Sequence, residues 1–223
     1  MIGSFSDDSV NQFRIFSKSV DVLIVKAHVL FSGGKDSSLS ALLLEPYFEI
    51  QLVTCNFGIL PTGEVASEIA KELGFLHQVI QPDMKILEEA AGIAQKDGFP
   101  NGAINYIHRR VLELLAEQNG IELIADGLRR DDRVPRLQQS EIQSFEDKHK
   151  ILYCSPLMGF GRLTINKMIE SNLVITEEES AVILKCDYEA ELREYLNREI
   201  GEEETRKLFP KSHKQSRVIS RVK

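Results

Sequence analysis

The chain has 223 residues, 43% of them apolar and 27% charged, with a net charge of −7 and a pI near 5.4. That length buries enough surface to need no disulfide or metal staple, and the acidic balance argues against a nucleic-acid coat while leaving room for a local basic patch. The three cysteines, Cys55, Cys154 and Cys186, are far apart and form no C-x-x-C, which suits a reducing compartment.

The N-terminal residues carry two aspartates and no apolar stretch of the signal-peptide kind. No run approaches the roughly 18 apolar residues of a membrane helix. The expected location is cytoplasmic, with no membrane partner.

Residues 1–26 form an N-terminal segment in which 20–25 (VDVLIV) read as a strand. From residue 27 strands and helices alternate: a strand at 27–31, a helix at 36–45 and a strand at 49–57. A helix at 64–73 places Val65, Ile69 and Leu73 on one face, with Gly74 as its stop. A strand at 77–80 follows. The next helix begins after Pro82 with Met84, Leu87 and Ala91 inward, and ends at Gly98 and Pro100. Asn101 can cap another helix, whose stripe is Ile104, Ile107, Val111 and Leu114. Strands at 121–126 and 151–157 complete the alternation.

Strands apolar on both faces, separated by helices, require a parallel sheet covered by helices and joined by right-handed crossovers. Such sheets bind ligands beyond the carboxyl ends of their strands. Residues 162–204 read as short Glu-rich helices, and no acid follows Glu204. The expected organisation is an α/β domain over 27–158 and a helical extension with a basic tail over 159–223.

The first core strand runs into F-S-G-G-K-D-S-S (31–38). A Walker A loop would need G-x-x-x-x-G-K-[ST], and here Lys35 is followed by Asp36, with only Gly33 and Gly34 upstream. The dinucleotide fingerprint G-x-G-x-x-G fails as well. What remains is a strand, two glycines that let backbone N–H groups approach an oxyanion, and a helix start with its free donors and partial positive charge. Ser32, Ser37 and Ser38 offer hydroxyls; Lys35 either adds a charge or points into solvent. A carboxylate beside a polyphosphate is repulsive unless a cation lies between them, so Asp36 implies Mg²⁺. The plainer alternative makes Asp36 a helix cap and the glycines a tight turn.

S-G-G-K-D-S after a strand resembles the pyrophosphate loop of the PP-loop ATP pyrophosphatases, the adenine-nucleotide alpha-hydrolase-like superfamily. Its members include GMP synthetase, asparagine synthetase, NAD synthetase, tRNA thiolation enzymes, tRNA lysidine synthetase and diphthamide synthetase. The resemblance covers residues 27–157. It implies a Rossmann-like sheet of order 3-2-1-4-5, with ATP and Mg²⁺ as cofactors. It also implies an AMP-forming reaction in which a nucleophile attacks the α phosphorus and pyrophosphate leaves. Carried over, Ser32, Gly33, Gly34, Lys35, Asp36, Ser37 and Ser38 bind the pyrophosphate moiety.

By the same resemblance A-D-G-L-R-R-D-D-R-V-P-R (125–136), at the end of the fourth strand, is the second nucleotide-contacting segment. There Asp126 and Gly127 would approach the nucleotide, and Arg129, Arg130 and Arg133 are candidate phosphate partners. Asp131 and Asp132 are candidate metal or substrate ligands, and a solvated charged loop is the alternative. The catalytic set is then Asp36, Lys35 and Arg130, and the metal set Asp36 and Asp131. Asn56 and Phe57, with Gly58, end the second strand where the superfamily reads adenine with main chain; Phe57 as ordinary core is an equal alternative. Asn105, His108 and Arg109 start the helix before strand four and are candidates for substrate, with His108 read first as a satisfied, partly buried histidine.

The acceptor is not fixed by the sequence. Paired cysteines of thiolating relatives are missing, and Cys55 and Cys154 read as core. A tRNA sulfurtransferase-like enzyme and a non-catalytic ATP- or AMP-binding module stand as alternatives. Lys211, His213 and Arg217 of the basic tail can meet phosphates of tRNA, fold back over the ATP site, or pair with acidic helices; pairing and fold-back rank first because the chain is acidic. Oligomeric state, a homodimer included, is left open.

Overall fold

A computed structural model describes residues 25–132, 136–179, 186–209 and 214–222. The strand expected at 20–25 falls, except for Val25, outside the described residues, as do Arg133, Lys211 and His213.

Five parallel strands form the main sheet: β1 (Lys26–Leu30), β2 (Glu49–Cys55), β3 (Leu76–Ile80), β4 (Leu123–Ala125) and β5 (Leu152–Cys154). Their order is β3-β2-β1-β4-β5, as the resemblance implied. β1 is central, with Val29 opposite Leu52 on one side and Ala125 on the other. Chain direction reverses its spread between β1 and β4, so the switch point lies at their carboxyl ends.

Five helices connect these strands: α1 (Lys35–Leu44), α2 (Thr62–Glu72), α3 (Met84–Asp97), α4 (Asn101–Ala116) and α5 (Gln139–His149). After β5 come a 3-10 turn (Pro156–Gly159), α6 (Arg162–Asn172), β6 (Leu173–Glu179), α7 (Tyr188–Ile200), α8 (Glu202–Leu208) and β7 (Lys214–Arg221).

The segment expected to be wholly helical thus contains a strand, and the basic tail is another. β6 and β7 pair antiparallel, with Thr176 opposite Arg217. The β-branched run Val174-Ile175-Thr176 favours this pairing, and the pair buries Leu173 and Val218. The glutamates that follow read locally as helix formers; the long-range partner decides otherwise.

Each sheet face has its own core. One gathers Leu87 of α3, Ile107 and Val111 of α4, and Leu192 and Leu196 of α7. The other gathers Leu39 of α1, Ile69 of α2, Ile165 of α6 and Val218 of β7. Each fully buried leucine or isoleucine contributes about 1.5–3 kcal/mol of burial free energy, so both cores depend on residues beyond 158. Among the described residues no helix is long and apolar enough to cross a membrane.

Candidate functional site

The chain leaves β1 through Phe31 and Ser32, turns at Gly33 with φ +68°, and enters α1 from an extended Gly34 that gives no side-chain cap. A Cβ on Gly33 would meet Ile69 Cδ1, the movable end of that side chain, at 2.7 Å, so it is the left-handed turn that demands glycine. Ser37 Oγ and Ser38 Oγ donate to the Gly34 carbonyl at 3.2 and 2.9 Å, and the Ser32 N–H donates to Ser37 Oγ at 3.3 Å. Ser40 Oγ donates to the Asp126 carbonyl at 2.8 Å, tying α1 to the tip of β4.

This loop forms one wall of a cavity of about 760 Å³ at the carboxyl ends of β1, β2 and β4. Ser32, Gly34, Lys35, Asp36 and Ser37 line it on the loop side, with Asp126, Gly127, Arg129 and Asp132 from the β4 tip. Gly33 and Ser38, expected to bind phosphate, do not line it; Ser38 Oγ donates to the Gly34 carbonyl.

Gly127 lines the cavity and has a packing reason as well. A Cβ there would lie 2.7 Å from the Ser37 nitrogen and 2.9 Å from its Cα, so glycine lets the start of α1 pack against β4.

Asp36 and Arg129 face each other, Oδ2 to Nε, at 3.5 Å. Arg129 is held further by Asp132, whose Oδ1 accepts from Nη2 at 2.6 Å and whose Oδ2 accepts the Arg129 N–H at 2.8 Å. These carboxylates raise the guanidinium's affinity for its proton against the cost of burial. Asp132 therefore positions Arg129. Asp131 is turned elsewhere: its Oδ2 accepts the Arg162 N–H at 2.9 Å at the start of α6, and that bond, with Arg129 nearby, lowers its pKa.

Lys35 Nζ lies between Asn166 Oδ1 (3.3 Å) and Glu177 Oε1 (3.5 Å), pointing along the cavity and not into solvent. Arg130 sits outside the cavity, where its Nη1 donates to the Gly159 carbonyl at 3.4 Å. The two adjacent arginines thus divide: Arg129 faces the cavity, and Arg130, expected to be catalytic, does not.

At the end of β2 the core alternative holds for Phe57, and Asn56 is not at the base. Phe57 is buried in the core, and the Asn56 amide closes its own turn through Leu60 O and Thr62 Oγ1 at 2.9 and 2.6 Å. Neither lines the cavity. The Phe57 and Ile59 N–H groups donate to the buried Glu191 of α7 at 2.8 and 3.1 Å, so those donors are already engaged. The apolar wall comes instead from Leu30, Val53, Cys55 and Ile104.

His108 lines the cavity beside Asp126, Nε2 to Oδ2, at 3.7 Å. Asp126 Oδ2 accepts from the Tyr153 hydroxyl, and among the described residues Nε2 of His108 has no hydrogen-bond partner. The histidine is partly buried as expected but unsatisfied at Nε2 among the described residues, and burial lowers its pKa against the pull of Asp126. Asn105 does not line the cavity. Arg109 pairs with Glu141 of α5 at 2.6 Å, beside a separate hollow of about 330 Å³. Arg217 lies 3.8 Å from Glu68 of α2, so the described part of the tail folds back on the domain.

Residues that the sequence reading missed close the cavity from the far end of the chain: Arg162 of α6, Glu177 of β6, and Cys186, Asp187, Tyr188 and Glu189 at the start of α7. Only the fold brings them to the glycine loop; no local motif marks them.

A family model described as a family of unknown function, DUF7411, matches residues 25–220. The chain belongs to DUF7411. It is 48% identical over 197 residues to an uncharacterised protein of Methanocaldococcus jannaschii, covering 88% of this chain and 96% of that one. It is 32% identical over 162 residues to the 7-cyano-7-deazaguanine synthase of Staphylococcus aureus, covering 61% of this chain and 72% of the synthase. A crystal structure from M. jannaschii, described as a predicted subunit of tRNA methyltransferase, superposes with a TM-score of 0.81 at 45% identity, over 90% of this chain and 99% of that one. This DUF7411 member thus shares ancestry with a synthase and its fold with a protein described in terms of tRNA.

Proposed function

We propose that this protein is a PP-loop enzyme that cleaves ATP to AMP and pyrophosphate while adenylating an acceptor, in the modification of tRNA or of a small molecule. The observation that carries the proposal is the convergence of the Gly33–Gly34 turn, the uncapped start of α1 and the Asp36–Arg129 pair on one wall of a nucleotide-sized cavity. Relatedness to 7-cyano-7-deazaguanine synthase supports it.

In this reading the N–H groups at the start of α1 and the hydroxyls of Ser32 and Ser37 hold the β and γ phosphates. Lys35 and Arg129 offset their charge. Leu30, Val53, Cys55 and Ile104 offer an apolar surface to the base. The acceptor attacks the α phosphorus, the bond to the bridging oxygen breaks, and pyrophosphate leaves with the bonding pair. Positioning and charge neutralisation then supply most of the acceleration.

Among the described residues no three metal-binding side chains gather. That suits Mg²⁺, which needs only one or two carboxylates when phosphate oxygens complete its shell. Asp36, on the cavity wall, fits that role; Asp131, committed to the start of α6, does not line the cavity. When bound, Mg²⁺ would neutralise phosphate charge beside Asp36.

Sulfur transfer gains no support from the cysteines. Cys55 and Cys186 line the cavity, but burial, with carboxylates nearby, raises the first well above its ordinary range and the second to about 12. Both are thiols at neutral pH, not nucleophilic thiolates.

The test is product analysis with ATP and Mg²⁺ in the presence of unmodified tRNA and of small-molecule fractions. AMP and pyrophosphate are expected; ADP and orthophosphate reject the proposal.

A further inference from the structure

The tail's described arginines are engaged within the fold, in line with the ranking of pairing and fold-back ahead of tRNA. Arg221 forms a two-pronged pair with Glu45 at 2.8 and 2.9 Å and lies over the Phe75 ring at 4.5 Å. Elsewhere Arg109, Arg193, Arg198 and Arg206 each meet a carboxylate at 2.6–2.9 Å.

Three arginines beside the cavity mouth differ. Arg130 rests on the Gly159 carbonyl, and its Nη2 is so close that a Cβ on Gly161 would meet it at 2.8 Å. Arg136 donates from Nη2 to the Arg130 carbonyl at 2.5 Å and lies with Nη1 3.7 Å from Met158 Sδ. Arg162 follows Gly161 and lines the cavity itself. None of the three forms an ion pair among the described residues. Asp131 accepts the Arg162 N–H, lies 3.9 Å from Arg129 and feels the charge of Arg130, but pairs directly with none of the three guanidiniums.

Three arginines therefore ring the Met158–Arg162 turn; the guanidiniums of Arg130 and Arg136 rest on carbonyls and sulfur, and none of the three stands within ion-pair distance of a carboxylate among the described residues, in a chain of net charge −7. Guanidinium forks fit phosphate oxygens, and packing against neutral atoms fixes their direction without consuming their charge. Leu163, 83% exposed, adds an apolar side chain next to Arg162. A row of charges leading into a pocket suits a flexible polyanion that can turn one unit inward. Single-stranded loops of RNA do this, because their bases unstack and their phosphates stay outside. A duplex cannot deliver a base without flipping it.

We propose that Arg130, Arg136 and Arg162 form the docking rim for the phosphate backbone of an RNA whose base enters the cavity. The purpose of that entry rests on the adenylation reading; the binding itself does not. Arg130 and Arg136 lie outside the cavity, so they act on the RNA backbone and not on ATP.

The experiment measures binding of an unmodified tRNA transcript to the full chain, by fluorescence anisotropy across a salt series and without ATP. Arg130→Ala, Arg136→Ala and Arg162→Ala are tested singly and together, with Arg217→Ala as comparator and thermal melting as a folding control. The triple variant is expected to weaken binding at least about tenfold and to flatten the log–log salt slope by about 2, near the loss of three phosphate contacts. Arg217→Ala should bind as the wild type does. Should the triple variant fail to fold, the single variants give the same reading in smaller steps. Unchanged binding in the rim variants, loss in Arg217→Ala, no tRNA binding at low salt, or equal binding of single-stranded DNA overturns the assignment. Pyrophosphate release from ATP is scored separately, so failure of the enzyme reading and failure of the rim are distinguishable.

Discussion

Glu191, in the first turn of α7, accepts the backbone N–H groups of Phe57 and Ile59 at the carboxyl end of β2. This buried carboxylate joins the C-terminal helices to the rim of the main sheet. Glu191→Ala leaves those donors without an acceptor and should cost about 1–3 kcal/mol in urea denaturation. Burial outweighs the hydrogen bonds and lifts the folded pKa above the ordinary 4.5. The folded state then holds its proton longer than the unfolded one. Stability relative to a Glu191→Gln reference should be greatest at acid pH and fall as pH rises through the folded pKa.

Gly127→Ala tests how tightly β4 and α1 pack. The new Cβ would meet backbone atoms of Ser37 and Asp36, and a backbone cannot swing aside as a flexible side chain can. The expected cost is about 1–3 kcal/mol in stability, with weakened ATP binding as the loop shifts. Unchanged stability would show that the two elements are less closely locked.

His108 should make the protein acid-sensitive. Burial lowers its pKa from the ordinary 6.5, with Arg109 acting in the same direction and Asp126 opposing. Tyr188 packs nearby with its ring centroid 6.2 Å away. A group with a depressed folded pKa binds fewer protons folded than unfolded, so stability falls as pH drops below about 6.5. His28 and His77 are shifted the same way and add to the effect. Between about pH 7.5 and pH 5.5 the wild type should lose more stability than His108→Leu; equal losses would remove His108 from the explanation.

Asp36→Asn should leave the fold intact, because the side chain is 29% exposed and α1 is anchored by its serines. Pyrophosphate release should fall by about 100-fold or more. Retained release would mean that the carboxylate is only the partner of Arg129.

The sheet and its glycine loop were legible because they are local: each strand is a short apolar run, and the turn, helix start and serines of the loop are contiguous. The choice between Arg129 and Arg130 was not legible, since adjacent loop residues with the same chemistry differ only in direction. By the resemblance Asn56 was a neighbour of the base and Phe57 either that or core; the turn consumes Asn56, and the core alternative holds for Phe57. β6 and β7 were hidden because a two-stranded pair stabilises each strand only through its distant partner. The same distance concealed Arg162, Glu177 and Tyr188, which reach the cavity from more than a hundred residues away along the chain.

The central claim is that the outer phosphates of ATP lie at the Gly33–Gly34 turn. A crystal structure with Mg²⁺ and an ATP analogue whose α–β bridge resists cleavage tests it most directly. The β and γ phosphates should lie against the first turn of α1, within reach of Ser32, Ser37 and Arg129, with the cation beside Asp36. A triphosphate bound elsewhere, with that loop unengaged, would contradict the account.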